Sequence, residues 1–181
     1  MKRIHLIIIS ALTLLLCNAC DTPTNTNEFK TQEISFKDID QTPGFTWFTA
    51  RYNIYKSNTD IIQKIKSAMK PDLNFYLFAQ PSCNCETLQN IFPNAMRVIH
   101  DASITNANYR IIVMKNKDAE NPYKNFVTLK ELPEIFLVKN NAVIYSISDT
   151  VKQRGTDSTL IKSGKASMEQ VILEALELGG K

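Results

Sequence analysis

Two cysteines one residue apart, Cys83 and Cys85, are the residues of this chain best suited to covalent chemistry. They flank Asn84, directly after an apolar run from Leu73 to Ala79 and directly before an apolar stripe with helical spacing. A bond between them closes a very small ring. Because the chain-entropy gain of a disulfide grows with loop length, such a ring would stabilise the fold very little. The pair suits thiol–disulfide exchange or soft-metal binding better than stapling. The thiolate is the attacking species, and a cysteine at a helix start gains thiolate character from free N–H groups and the helix dipole. The spacing implies that Cys83 attacks a substrate disulfide and Cys85 resolves the mixed disulfide. Cys83 is assigned the attack because it precedes the helix and should be the more exposed. Strain in so small a ring eases reduction, which puts the couple on the oxidising side. Two alternatives stand beside this one: silent cysteines acting as small hydrophobes in a binding domain, and a Cu(I) site. No third metal ligand is evident. His100, the only histidine past the leader, lies about 22 Å along the following helix by helical rise and reads as a surface or helix-end residue. Neither a metal nor a cofactor is expected.

The other two of the four cysteines, Cys17 and Cys20, close an N-terminal leader. Lys2 and Arg3 precede an apolar stretch from Ile4 to Leu16, short for a membrane span and suited to a secretory signal. Its end, Leu16-Cys17-Asn18-Ala19-Cys20, resembles a bacterial lipobox, with small Ala19 before the cysteine that would be lipidated. Cys20 is the better candidate, since bulky Leu16 precedes Cys17. An ordinary signal peptide or an uncleaved anchor helix is the alternative. Removing Lys2 and Arg3 from the 21 basic residues leaves 19 against 18 acidic ones, so the apparent basicity belongs largely to the leader. No Lys/Arg cluster is interleaved with aromatics, which argues against a nucleic-acid partner. The expected organisation is a lipoprotein signal peptide over 1–19, then lipidated Cys20 with a tether and N-terminal extension over 20–44, and one domain over 45–181. The polar run Asp21 to Asn27 reads as the flexible tether.

The elements that must hold the cysteines follow from pattern. Phe45 to Tyr52 alternates aromatic and polar residues and predicts a strand. Ile61, Ile62, Ile65, Ala68 and Met69 share one face of a helix opened at Thr59-Asp60 and closed by Pro71. Leu73 to Ala79 predicts a buried central strand. Leu88, Ile91, Phe92, Ala95, Met96 and Ile99 then form a helical stripe that Pro93 should kink. Tyr109 to Met114 predicts a strand, and Pro122 to Leu129 a short helical or irregular crossover. Glu134 to Val138 and Ala142 to Ile147 flank a hairpin turn at Lys139-Asn140-Asn141. Val151 to Gly164 reads as a polar loop, and Ser167 caps a last amphipathic helix ended by Gly179-Gly180. This order implies an α/β fold, a central mixed sheet with helices on both faces.

That order, with cysteines at a strand-to-helix junction, resembles the thioredoxin-like superfamily over about Phe45 to Leu178. Phe78-Ala79 with the cysteine motif and a proline-bearing helix is similar to the family's active-site segment. Asp118-Ala119-Glu120-Asn121-Pro122 is similar to its Asp-x-x-Asn-Pro stretch, and Leu132-Pro133-Glu134-Ile135-Phe136 to its Ile-Pro-Thr strand start. The resemblance implies a thioredoxin-like three-layer fold, a cis Pro133 facing the cysteines, and a Leu132 backbone that pairs with substrate. Taken with the lipobox-like leader, it implies an envelope-facing, membrane-anchored thiol–disulfide oxidoreductase. Its partners would be cysteine-containing envelope proteins, a membrane or periplasmic thiol reductant or oxidant, and the membrane itself through the lipid. A non-catalytic protein-binding lipoprotein of the same fold is the alternative. The chain departs from the family at the motif: aligned from Ala79, Ser82 falls on the usual nucleophile, Cys85 on the second cysteine, and Tyr76 on a buried aspartate.

The lipobox reading has a direct check. Cys20→Ala should abolish leader cleavage and radiolabelled palmitate incorporation, whereas Cys17→Ala should leave both intact; labelling lost with Cys17 instead would reverse the assignment.

Overall fold

The computed structural model describes residues 29–81, 86–156 and 162–181, with no side-chain description for residues 86–88. Among the described residues, a five-stranded mixed sheet and five α-helices make an α/β fold. Strand β2 (Leu73–Ala79) occupies the middle of the sheet, and its sequence, Leu-Asn-Phe-Tyr-Leu-Phe-Ala, is apolar on both faces, as a strand covered on both sides must be. On one side it pairs in parallel with β3 (Tyr109–Val113), and on the other antiparallel with β4 (Glu134–Lys139). A parallel neighbour needs a crossover. Helix α3 (Glu86–Asp101) supplies it, running through Pro93. Strand β5 (Ala142–Ser146) returns along β4, and β1 (Gln32–Ile34) borders β3, both antiparallel, giving the order β1-β3-β2-β4-β5. The β4–β5 turn puts Asn140 and Asn141 at φ 52° and 57°. Two successive left-handed residues match the twist of a tight hairpin, and Asn tolerates them better than most side chains.

Helix α1 (Phe48–Ile54) and helix α2 (Thr59–Ala68) precede β2. Asn58, rather than Thr59, opens α2: its side-chain oxygen accepts from the N–H groups of Asp60 and Ile61 at 3.0 and 3.2 Å. A cap of this kind contributes about 1 kcal/mol. Helix α4 (Ile147–Gly155) follows β5 directly, and α5 (Met168–Gly179) closes the domain, capped by Ser167 through the Gln170 N–H. Gly179 ends α5 against the sheet. A Cβ there would meet Ile144 Cδ1 at 2.5 Å and Leu73 Cδ2 at 3.0 Å, so this close approach needs glycine.

Two apolar clusters flank the sheet. The larger takes Phe48, Ile65, Phe92, Ile147 and Leu176, one from each helix, against Leu73, Phe75 and Leu77 of β2 and Ile135 and Leu137 of β4. The smaller lies on the opposite face: Phe78, Ile112, Met114, Phe136 and Val138, covered by Tyr123, Phe126, Val127, Leu129 and Leu132. Helices were expected on both faces. Among the described residues, the second face is covered instead by the turn-rich connection between β3 and β4, whose aromatic rings pack edge-on. Tyr76 meets Tyr123 at 4.7 Å and Phe126 at 5.7 Å.

Two segments differ from their sequence patterns. The strand expected over Phe45 to Tyr52 is a turn followed by α1. Phe45, Phe48 and Tyr52 recur at three and four, and this period wins because it sets Phe45 and Phe48 against Phe92 of α3, at 5.8 and 5.3 Å between ring centroids. The loop expected from Val151 is helical as far as Gly155. Helix α4 has little apolar stripe to announce it. It starts instead on a Ser146 cap, whose hydroxyl accepts from the Asp149 N–H at 3.3 Å. The sheet also reaches upstream of residue 45, through β1 and the 3₁₀ turn Phe36–Asp38 that follows it.

The packing of α1 sets a test. Phe48 is 1 % exposed and Ile54 71 %. Phe48→Ala should cost about 3–5 kcal/mol in urea unfolding, and Ile54→Ala less than about 0.5 kcal/mol; comparable losses at both positions would contradict a helix with Phe48 as its inward residue.

Candidate functional site

The β2–β4 register sets the geometry of the candidate site. The ladder runs from Leu73 opposite Lys139 to Phe78 opposite Glu134. One step further along this register sets Pro133 beside Ala79, where β2 ends. The peptide bond between Leu132 and Pro133 is cis. Pro133 is buried and Leu132 half-buried against the smaller apolar cluster. Among the described residues, neither the N–H nor the C=O of Leu132 has a main-chain partner. Ala79 is held from the other side, its carbonyl accepting from the Met114 N–H at 2.9 Å. Cys83 and Cys85, with Ser82 and Asn84, lie outside the described residues, as do Cys17 and Cys20. The two ends of their segment are described: buried Pro81 follows β2, and Glu86 begins α3. The structure thus brings Leu132 and Pro133 to the end of the strand that leads into the cysteines.

Glu134 is the residue of this region that the sequence reading did not single out. Its side chain is fully buried. One carboxyl oxygen accepts two backbone N–H groups, from Lys130 at 2.9 Å and Glu131 at 3.3 Å. The other, Oε1, has no hydrogen-bond partner among the described residues. Burial pushes the Glu134 pKa above its ordinary value. The two backbone N–H groups and Lys152 pull the other way, and Asp149 adds to the rise. A signal for it does exist in the sequence: an acidic residue opens an otherwise apolar strand directly after a proline.

Helix α4 secures this corner. Its buried Ser148 hydroxyl accepts from the Ile135 N–H at 3.1 Å. Lys152 pairs with Glu131 at 2.8 Å and lies 3.5 Å from the Pro133 carbonyl. Lys130 pairs with Asp149 at 2.7 Å, which holds the Asp149 carboxyl below its usual range. Such exposed pairs contribute modestly one by one. Together they tie the loop before β4 to a helix on the far side of the Pro133 turn.

His100, read from sequence as a surface or helix-end residue, is at the end of α3 but half-buried. Phe36 packs edge-on against its ring at 4.1 Å, Nδ1 lies 3.0 Å from the Tyr52 hydroxyl, and Nε2 lies 3.5 Å from that of Tyr109. Burial lowers its pKa. Its partners make it a clamp on the segment after β1 rather than a member of the Pro133 corner. Among the described residues, no group of three or more His, Cys, Asp or Glu could hold a metal ion, and no helix is long and apolar enough to cross a membrane. Comparison with protein-family models, curated proteins and solved structures found no match for this chain.

The raised pKa of Glu134 carries a stability signature. The native state holds this proton more tightly than the unfolded chain. The contribution is therefore full below the ordinary value of 4.5 and is lost as pH rises through the native pKa. Glu134→Gln keeps an oxygen for the Lys130 and Glu131 N–H groups and cannot titrate. Urea unfolding from pH 4 to 8 should show wild type losing ground to Glu134→Gln as pH rises. His100 titrates in both proteins and cancels in the difference. Parallel stability curves would mean that Glu134 has an unshifted pKa.

Proposed function

We propose that this chain is a membrane-anchored, envelope-facing thiol–disulfide oxidoreductase of thioredoxin-like fold, with Cys83 and Cys85 as its redox pair. The observation that carries the reading is the register of β2 against β4. It sets the Leu132–Pro133 turn beside the end of β2, three residues before the Ser82-Cys83-Asn84-Cys85 segment begins. A parallel β2–β3 pair crossed by α3, with an antiparallel hairpin on the other side of β2, supports the fold assignment.

Chemically, Cys83 thiolate attacks one sulfur of a client disulfide, forming a mixed disulfide and releasing the other client sulfur as a thiol. Cys85 then attacks Cys83 Sγ, which closes the ring and releases the second client thiol. Two electrons and two protons pass from the cysteine pair to the client, and the reverse sequence oxidises a client dithiol. The Leu132 main chain, unpaired among the described residues, gives an extended client segment a place to add as a short strand, so affinity comes from backbone bonds and tolerates varied client sequences. Lipid on Cys20 and the polar run from Asp21 to Asn27 would hold the domain about 25 Å from the membrane at full extension. Clients are accordingly cysteine-containing envelope proteins, and a thiol reductant or oxidant of the same compartment resets the pair. The second reading, a binding lipoprotein of the same fold without catalysis, keeps the Leu132 surface and needs no thiol chemistry.

Trapping separates the two readings. In cells expressing the full-length protein, Cys85→Ser should accumulate mixed disulfides through Cys83, seen as reductant-sensitive adducts on non-reducing gels, while Cys83→Ser should give few. The reverse pattern would make Cys85 the attacker. Adducts from neither variant would favour the binding module.

A further inference from the structure

Strand β1 is fastened to the domain on both faces of the sheet. It is three residues long and, among the described residues, borders β3 alone. Toward the smaller apolar cluster, Glu33 accepts from the Tyr123 hydroxyl at 2.6 Å and pairs with Arg110 at 3.3 Å. Both charges are partly exposed, so this fastening is modest. Toward the larger cluster, Ile34 and Phe36 pack inward. The Phe36 ring meets Phe48 at 5.9 Å, Tyr52 at 5.5 Å and His100 at 4.1 Å. Beyond it the chain is anchored separately. Ile39 is fully buried, and the Thr42 hydroxyl donates to the Asp38 carbonyl at 2.8 Å. A segment peeled from β3 would stop at Ile39.

His100 lies beneath Phe36, half-buried at the end of α3. Neutral imidazole carries one donor and one acceptor nitrogen. Here the two nitrogens face two tyrosine hydroxyls, Nδ1 that of Tyr52 from α1 at 3.0 Å and Nε2 that of Tyr109 from β3 at 3.5 Å. Burial raises the pKa of both tyrosines above the ordinary 10, so these hydroxyls stay neutral and offer an imidazolium no counter-charge. The charged neighbours on α3 are Arg97 and Asp101. They pair with each other at 2.9 Å, and the Arg97 guanidinium also lies 5.3 Å from the centre of the Tyr52 ring. From the β1 side, Lys37 is exposed, Asp38 accepts from the Ser35 hydroxyl at 2.7 Å, and Glu33 lies on the opposite face. A protonated His100 is therefore a half-buried cation beside an arginine, and the nearby Asp101 carboxylate is already shared. Moving Phe36 off the ring, which lets water reach it, is the readiest relief.

We propose that His100 is a pH-sensitive latch on β1 and the turn that follows it. Neutral His100 holds Phe36 and keeps β1 on the sheet; protonated His100 lets the segment peel from β3 as far as Ile39. The sign follows from linkage. Burial, with Arg97, holds the His100 pKa below the ordinary 6.5 against the pull of Asp101, and a released ring returns to the ordinary value. The closed latch is therefore at full strength above about pH 6.5 and weakens as pH falls through the lowered native value. Release uncovers the outer edge of β3 from Ile111 to Val113, which β1 otherwise pairs. The latch needs no thiol chemistry and stands apart from the redox reading.

The test is hydrogen exchange, read by mass spectrometry on the full-length chain in detergent micelles at pH 7.5 and pH 5 and corrected for the intrinsic pH dependence of exchange. Amides of β1 are compared with those of β2 in the same sample. On acidification, β1 protection should fall relative to β2 by on the order of tenfold. His100→Gln keeps a donor and an acceptor but cannot titrate, and should hold that ratio within about twofold. Glu33 and Asp38 are unchanged in it, so their titration is common to both proteins. A wild-type ratio constant within about twofold, or an equal fall in His100→Gln, would overturn the latch. If His100→Gln fails to fold, proton NMR of the His100 ring answers through Phe36→Ala, which removes a half-buried ring at the sheet edge. The His100 midpoint should rise toward the ordinary value in Phe36→Ala. An unchanged midpoint would show that Phe36 and the His100 proton are not coupled, and would overturn the latch as well.

Discussion

The antiparallel ladder between β2 and β4 is the constraint on which the remaining structure depends. Six consecutive partners, from Leu73 with Lys139 to Phe78 with Glu134, fix which residue of the incoming β4 turn faces the outgoing end of β2. A slip of one residue would turn Ile135 and Leu137 out of the larger core and Phe136 and Val138 out of the smaller one. Since both faces of β4 are buried, such a slip exposes apolar surface on either side, and the register is strongly specified. The hairpin turn at Asn140-Asn141 pins the other end. Leu132, Pro133 and Glu134 stand beside the approach to the cysteines as a consequence of core packing.

Around that ladder the molecule is asymmetric. Among the described residues, five helices load one face of the sheet, while turns carrying Tyr123, Phe126 and Leu129 cover the other. The lightly covered face is the one on which Glu134 lies. Helix α4 compensates at this corner. Ser148 completes the hydrogen bonding of Ile135, and Lys152 reaches both Glu131 and the Pro133 carbonyl. On the opposite side, the buried Glu169 carboxylate accepts from the Tyr55 hydroxyl and from the Asn58 N–H, joining the α1–α2 connection to α5. Polar bonds of this kind determine which way an element sits more than they add net stability.

Sequence pattern was most informative where burial dictates it. The run from Leu73 to Ala79 is β2 to the residue, and the Lys139-Asn140-Asn141 turn, the Ser167 cap and the α3 stripe from Ile91 to Ile99 are all present. It failed where another force set the element. Aromatic residues from Phe45 to Tyr52 satisfy periods of two and of three to four, and only contact with Phe92 decides between them. Strand β1 is three residues long, with two of them exposed. Helix α4 is held by a cap and ion pairs that leave little hydrophobic trace. At the candidate site, Pro133 was singled out only through the resemblance of Leu132-Pro133-Glu134 to a known strand-start motif, whereas Glu134 was not singled out. Acidic residues are normally solvent-facing, and an acidic start to an apolar strand hints at Glu134 without revealing the register that buries it.

The proposal that Cys83 and Cys85 form a working redox pair is tested most directly by equilibrium titration of the full-length protein in glutathione buffers. Thiols are trapped at each potential, and Cys83 and Cys85 are read by peptide mass spectrometry. The account predicts one reversible two-electron transition in which both cysteines are lost and regained together as a Cys83–Cys85 disulfide. Free thiols at both positions across the whole range would contradict it.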